Sequence, residues 1–582
     1  MISLVNNKTY RNDIDGLRAI AVLAVIAFHL GYISNGFLGV DVFFVISGFL
    51  ITGIIYNEMA NNVFSLVNFY LRRIRRIIPL ALFISLVSLI TGIATMLPDD
   101  LENLAQSVIA TNLFSNNILQ AMTTKNYWDV VNEFKPLMHT WSLGVEEQYY
   151  LLYPLLFILV PNKNRIWLLP VLLVLAAGSL ILYLSSYQEF CKFYFIFFRF
   201  WELAVGGIAA IALKNRLINH KYSILLILFL ISLLCFDFYF VTNELTLLIT
   251  VFLTLGILVT SNSENIYSSI ILDNKLLGFI GKISFSMYMW HQVLLAYTRY
   301  FVVKELKTKH LIAIFILTLS FSVISYFIIE KPFRNKGMIN TVNLFWILGS
   351  IFFLTNVLAC YIYINAGILK DIPELNVSKS QTVRNLHAKY NARIREYDVN
   401  FKKMDRINVL VIGNSFARDW GNVLLESKYA DIIQISYIEE PDMHKELKTR
   451  ADKADIIYYY NPVLLHTRKL GIQEKKLWVV GTKNFGTSNG IFYNYKGNDY
   501  YKQRTSLAKG FLETNKRMLK EWNGKYIDYI GKVIDDNQTV PVFTPFHKFI
   551  SQDCRHLTKA GAQYYAQLFE HEFEHVFDKK NK

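Results

Sequence analysis

The sequence predicts a polytopic α-helical membrane domain of about ten helices plus one linking helix, followed by a three-layer α/β domain. Three observations carry that expectation. The 582 residues are 53% hydrophobic and 15% aromatic, with a mean hydropathy of +0.29, which is too apolar for a water-soluble chain of this length. Apolar stretches long enough to cross a bilayer recur through the first two thirds. After about residue 366 a polar, charged stretch gives way to short apolar runs alternating with helical patterns.

The spans are expected at about 17–34, 36–56, 77–97, 141–160, 166–185, 193–213, 222–241, 244–261, 276–302, 311–330 and 343–365. Loop charge sets their orientation. Loops on the side of the N-terminus hold Lys8, Arg11, Arg18, the run Arg72, Arg73, Arg75, Arg76, and later Lys163, Arg165, Lys214, Arg216, Lys221, Lys275, Lys331, Arg334 and Lys336. Opposite loops hold only Lys125, Lys135, Lys192, Lys304, Lys307 and Lys309. The N-terminus is therefore expected in the cytoplasm, and an odd number of spans places the C-terminal region outside. The net charge of +15 reads as positive-inside loops, and no basic stripe on a soluble fold points to nucleic acid. No cleavable signal peptide is expected. Cys191, Cys235, Cys360 and Cys554 have neither metal-ligand nor disulfide spacing.

Ionisable groups inside spans are costly and point to function. His29 follows Arg18 by eleven residues, which on a helix returns to nearly the same face about 16 Å deeper. Asp41 lies in the second span, placed to neutralise a buried cation. The Arg72–Arg76 cluster suits phosphate oxygens, which arginine grips bidentately, although such clusters also simply orient spans. His139 and the adjacent Glu146 and Glu147 open the fourth span, with His139 and Glu146 seven apart and expected on one face. Trp290-His291-Gln292 places a further imidazole in the ninth span, with a satisfied histidine in an aromatic belt as the plain alternative.

These strings resemble the membrane-bound acyltransferase family 3. The resemblance rests on Asp15-Gly16-Leu17-Arg18 with His29, on Gly39 to Phe49, on Phe69 to Arg76, on Ser142 to Tyr149 and on Ser284-Phe285-Ser286-Met287-Tyr288. It covers residues 8–336. It implies an O-acyltransferase, with a cytoplasmic acyl-CoA (acetyl-CoA) as donor substrate, no bound cofactor and a cell-envelope glycan as acceptor. By that resemblance Arg18 and His29 are the basic residue and catalytic histidine of the first span. Arg73 and Arg76, or Arg72 and Arg75, are the Arg-x-x-Arg pair, and Glu146 and Glu147 are the acidic pair. Physically, the arginines would hold phosphates and His29 would serve as general base or transient acyl acceptor.

The span at 343–365 is expected as a linking helix, 366–406 as a linker and 407–582 as the outer domain. Ile407–Ile412 reads as a buried parallel strand. Further strands are expected at 432–438, 456–460 and 478–480, and helices near 505–522 and 558–576. Ser415 follows the first strand at a turn into a helix, where backbone N–H groups can stabilise an oxyanion, although a Gly-x-Ser turn is more often only a helix cap. Asp553-x-x-His556-Leu557-Thr558-x-x-Gly561 is similar to the last block of SGNH-type esterases and transferases. That resemblance covers about 407–575 and implies Ser415 as nucleophile, His556 as base and Asp553 as its orienter. The chain departs from it with Asn414 where Gly-Asp-Ser is common, and with no Gly-x-Asn-Asp block. Asn461 is a candidate oxyanion donor, with the Gly481-Thr482-Lys483-Asn484 loop competing.

The sequence is thus read as an O-acetyltransferase of the bacterial inner membrane, multi-pass, with the second domain in the periplasm. Lipopolysaccharide or O-antigen sugar is the first acceptor expected and peptidoglycan the alternative. A polytopic transporter with an accessory domain is the reading of another class, and the absence of a two-half repeat argues against it.

Overall fold

A computed structural model describes residues 10–123, 133–160, 167–185, 187–212, 222–238, 241–261, 265–302, 306–367, 369–380, 386–402, 405–460, 471–486, 488–522 and 524–577. The chain divides into two compact units. The first holds Met1–Gly92, Leu104–Arg299 and Lys304–Cys360; the second holds Ile93–Asn103, Tyr300–Val303 and Tyr361–Lys582.

In the first unit a helix overlaps every expected span. Six helical segments among the described residues are long and apolar enough to cross a membrane: Gly36–Ala60, Leu66–Thr95, Glu189–Ala212, Asn243–Thr260, Thr308–Arg334 and Thr341–Ile364. Leu168–Leu184 and Ser223–Cys235 are shorter apolar helices. Asn12–His29, Trp141–Leu159 and Lys275–Phe301 fall outside both groups. These three carry Arg18, His29, Glu146, Glu147, Tyr288 and His291.

Some boundaries differ from expectation for physical reasons. The first helix begins at Asn12 rather than near 17, because Asp13 and Asp15 are buried in its first turn, where carboxylates suit the helix dipole. The third is continuous over Leu66–Thr95 with Pro79 inside it, so the arginine cluster is helical rather than a loop. Gly39–Ala60 and Ile196–Ala212 pack backbone to backbone. A Cβ on Gly48 would meet the Leu203 carbonyl oxygen at 1.8 Å, and one on Gly206 would meet that of Val45 at 2.1 Å, so only glycine admits this approach.

The second unit is an α/β sandwich. β1 (Ile407–Ile412), β2 (Ile433–Ile438), β3 (Ile456–Tyr459) and β4 (Leu477–Val480) precede β5 (Arg504–Ser506), β6 (Tyr526–Ile527) and β7 (Thr539–Pro541). The main sheet runs β2-β1-β3-β4-β6, with all pairs parallel. The period of two divides β1 between the faces. Val409 and Val411 pack in a core with Trp420, Tyr565 and Phe569, from helices Ser415–Leu425 and Lys559–Leu568. Leu410 and Ile412 pack with Leu447, Met518 and Trp522 on the other face. The helix expected over 505–522 is corrected. Residues 504–506 pair antiparallel with β7, and the helix starts at Phe511 behind Gly510, which holds φ +87°. β6 is two residues long and carries no periodicity to read.

Candidate functional site

Polar side chains of the first unit converge on a cleft lined among others by Arg18, Ser47, Arg73, Arg76, Ser142, Glu146, Tyr150 and Tyr288. Three guanidinium groups against one carboxylate give it anion-binding character. Phe43, Phe44 and Ile77 add apolar wall. Arg73 lies 5.9 Å from the ring centroids of both Phe69 and Tyr150. Glu146 is fixed by Ser47 Oγ, which donates at 2.8 Å, and by Tyr150 OH at 3.3 Å.

The helix phase separates the arginine pairs that the sequence left open. Arg73 and Arg76 face the cleft. Arg72 pairs with Glu58 at 2.9 Å. Arg75, 3% exposed, donates to the carbonyls of Phe333 and Ile339 at 3.0 and 2.8 Å. Neither lines the cleft.

Asp41 is also elsewhere. Its carboxylate meets Arg199 at 2.8 Å, and Arg199 meets Glu202 at 2.9 Å, with all three side chains nearly inaccessible. Sequence reasoning gave Asp41 a cation to neutralise but missed Arg199 and Glu202. Their signal, an arginine and a glutamate three apart in an apolar span, was present. Arg199→Ala is expected to cost about 3–5 kcal/mol, because it strands two buried carboxylates. Asp41→Asn should cost clearly less, since it leaves a neutral Arg199–Glu202 pair. Thermal unfolding of the detergent-solubilised protein measures both.

His29 ends the first helix, and its Nδ1 lies 2.9 Å from the Val25 carbonyl oxygen. Nδ1 therefore carries the proton in the neutral ring, and Nε2 holds the lone pair. The His29 ring centroid is 5.0 Å from that of His291, which is 5.3 Å from that of His139. His291 Nδ1 lies 2.5 Å from the Tyr288 carbonyl, and its buried Nε2 has no hydrogen-bond partner among the described residues. Tyr288 joins this imidazole cluster to the cleft. Its hydroxyl bonds Ser142 Oγ at 2.6 Å and donates to the His139 carbonyl at 2.8 Å. His139 sits in a 3-10 turn, Met138–Thr140, ahead of the Trp141–Leu159 helix. The expected shared face with Glu146 is therefore corrected: His139 belongs to the imidazoles and Glu146 to the cleft. Glu147 keeps a buried Oε1 without a hydrogen-bond partner among the described residues and does not line the cleft.

In the second unit, Gly413 leaves β1 with φ +124°, and a Cβ there would lie 2.9 Å from the Tyr460 carbonyl oxygen. Asn414 caps the Ser415–Leu425 helix by accepting from the Phe416 amide at 3.0 Å. Ser415 thus stands at a helix N-terminus between the carboxyl ends of β1 and β3. The connections from β1 diverge there, the usual place for a ligand site on an open parallel sheet. Phe416 stacks on Tyr460 at 4.8 Å.

His556 Nδ1 meets Asp553 Oδ2 at 2.5 Å, and Asp553 Oδ1 accepts from the His556 amide at 2.8 Å. Ser415 Oγ makes no hydrogen bond among the described residues. The Asp553 side chain keeps 36% of its surface exposed, yet surrounding protein pushes its pKa up. The hydrogen bonds and charge of His556, with the Arg555 amide, outweigh that and hold it below the usual carboxylate range. A depressed folded-state value gives stability that is present above the unfolded pKa, near 3.9, and lost as pH falls through the folded one. Melting of this unit is expected to drop from that cause only below about pH 4.

Asn461 lies outside the described residues. In the competing loop, Asn484 accepts from the Gly486 and Ala508 amides at 3.0 and 2.8 Å and donates to the Gly486 carbonyl, so it holds its own loop. Lys483 turns inward to Asp419, at 2.9 Å with both side chains inaccessible. Burial pushes its ammonium pKa down against the opposing effect of Asp419.

Residues 11–364 match the family model described as an acyltransferase domain. The chain belongs to that family. Among curated relatives, it is 33% identical over 359 residues to the peptidoglycan O-acetyltransferase OatA of Listeria monocytogenes, covering 57% of each chain. It is 32% identical over 353 residues to the O-acetyltransferase OatA of Staphylococcus aureus, covering 56% of this chain and 58% of that one. A putative O-acetyltransferase of Staphylococcus aureus is 31% identical over 358 residues, with 56% and 58% covered. The chain thus spans somewhat over half the length of the curated relatives it matches. No solved structure matches it. The family match covers the cleft and the imidazole cluster and ends before β1.

Proposed function

We propose that the protein is a multi-pass membrane O-acetyltransferase that moves an acetyl group from cytoplasmic acetyl-CoA to a hydroxyl of an envelope glycan on the far side. The observation that carries this reading is the cleft in which Arg18, Arg73 and Arg76 stand beside an imidazole cluster containing His29. The guanidiniums would hold the donor's phosphates, and the thioester would reach toward His29. His29 Nε2 would take the proton of the attacking hydroxyl as the C–S bond breaks and return it to the departing thiolate, giving free CoA.

The second unit is read as an SGNH-like domain outside the membrane. Ser415 would then receive the acetyl group from that first ester as an ester of its own, passing its proton to His556, which Asp553 orients and which returns the proton to the oxygen released. The glycan hydroxyl would then attack that ester. The likeness to a peptidoglycan O-acetyltransferase of Listeria monocytogenes moves the preferred acceptor from lipopolysaccharide to peptidoglycan. The N-terminus is proposed as cytoplasmic on the strength of loop charge.

Mass spectrometry of alkali-labile acetate in separated envelope fractions, from cells making wild type, His29→Ala and Ser415→Ala, tests the reading. Acetate that depends on both residues in the peptidoglycan fraction is expected. Dependence only in lipopolysaccharide would reverse the acceptor, and unchanged acetate in every fraction would overturn the function.

The arginines offer a separate check. Arg73→Ala or Arg76→Ala is expected to raise the KM for acetyl-CoA about 10- to 100-fold, the loss of one charge-assisted contact. Arg75→Ala should instead lower the melting temperature with little change in KM, because its guanidinium serves the carbonyls of Phe333 and Ile339.

A further inference from the structure

We propose that Asp419 is a positioning residue for the Asp553–His556 pair, with Lys483 as its buried counter-charge. The proposal rests on the reading of Ser415 as nucleophile. Asp419 lies four residues after Ser415 on one helix, so the two share a face. Its Oδ2 accepts from the Leu557 amide at 3.0 Å, the residue directly after His556. His556 is therefore held from two sides, through its ring by Asp553 and through the following peptide by Asp419. The nucleophile's own helix thereby holds the base's loop, a link that no contact of Ser415 itself supplies.

Lys483 completes the device. Its Nζ meets the same oxygen at 2.9 Å and lies 3.8 Å from the centroid of the Phe416 ring, next to Ser415. An inaccessible carboxylate cannot stay ionised without such a partner. As a purely structural feature the pair is a poor choice, because replacing a buried ion pair with well-packed apolar residues is commonly neutral or stabilising. Lys483 belongs to the Gly481–Asn484 loop, the sequence's competitor to Asn461 as oxyanion donor. This chain reaches the base's loop with a buried charge pair there.

The test uses the full-length protein in detergent and the rate at which a fluorophosphonate probe labels Ser415, which reports how well His556 activates it. Asp419→Leu with Lys483→Met replaces the pair by apolar side chains. Asp419→Asn with Lys483→Met removes both charges but keeps an acceptor for the Leu557 amide. The first variant is expected to melt near the wild type and to label about tenfold or more slowly, the cost of a misplaced base. The second should label within about threefold of wild type, because it restores the hydrogen bond. Equal labelling of wild type and both variants overturns the proposal, and so does a folded second variant that labels as slowly as the first. If the apolar pair fails to fold, Asp419→Ala with Lys483→Met takes its place, and equal labelling of that variant and the wild type overturns the proposal. Absence of labelling in the wild type would instead overturn the Ser415 reading, and this proposal with it.

Discussion

His29→Ala is expected to lower acetyl transfer from acetyl-CoA by about 10²–10⁴-fold, the range for a lost general base, while leaving the protein folded and able to bind the donor. The geometry separates those two properties. The anion-binding side chains belong to the cleft, whereas His29 belongs to the imidazole cluster beyond Tyr288. Its Nδ1 faces the Val25 carbonyl, so the basic nitrogen is Nε2, which alanine removes. Transfer in membrane vesicles supplied with radiolabelled acetyl-CoA gives the rate, and retention of donor by the same vesicles gives binding. Loss of both together would mean that His29 supports the cleft instead of acting on the acyl group.

Ser415→Ala is expected to cost on the order of 10⁴-fold or more in transfer from a soluble acetyl ester supplied to the purified full-length protein, as for other serine nucleophiles. That donor bypasses the membrane station, so His29→Ala should leave this rate near the wild-type value. The two variants thus divide the proposed relay. Asn414 does not weaken the expectation. Its side chain caps the helix through the Phe416 amide, the role aspartate would fill at that position, and it leaves the serine without a neighbouring negative charge.

The architecture was legible because its signals are local. Apolar runs marked where helices lie, and Ile407–Ile412 marked an interior strand of the sheet to the residue. The choice within the Arg72–Arg76 cluster was not legible. A helix shows four directions for four arginines, and only the packing of the Leu66–Thr95 helix decides that 73 and 76 face the cleft. Likewise His139 and Glu146 have the spacing of one helical face, but a 3-10 turn ahead of Trp141 breaks the phase. Arg199 and Glu202 are three apart in one apolar span and neutralise each other there, so the sequence shows no unbalanced charge, and only the fold adds Asp41. His291 carried a visible signal, an imidazole in a span, and only the fold brings it to His29. Asp419 and Lys483 were unreadable as a pair, since a contact between residues on two separate elements of a sheet fold leaves no periodic trace.

The central claim is that one acetyl group visits two stations. Peptide mass analysis of the segment containing Ser415, after brief exposure of inside-out vesicles to acetyl-CoA, tests it most directly. An acetyl ester on Ser415 in the wild type, absent in His29→Ala, is the predicted result. Acetylated glycan formed with no ester ever found on Ser415, or the same ester in His29→Ala, would contradict it.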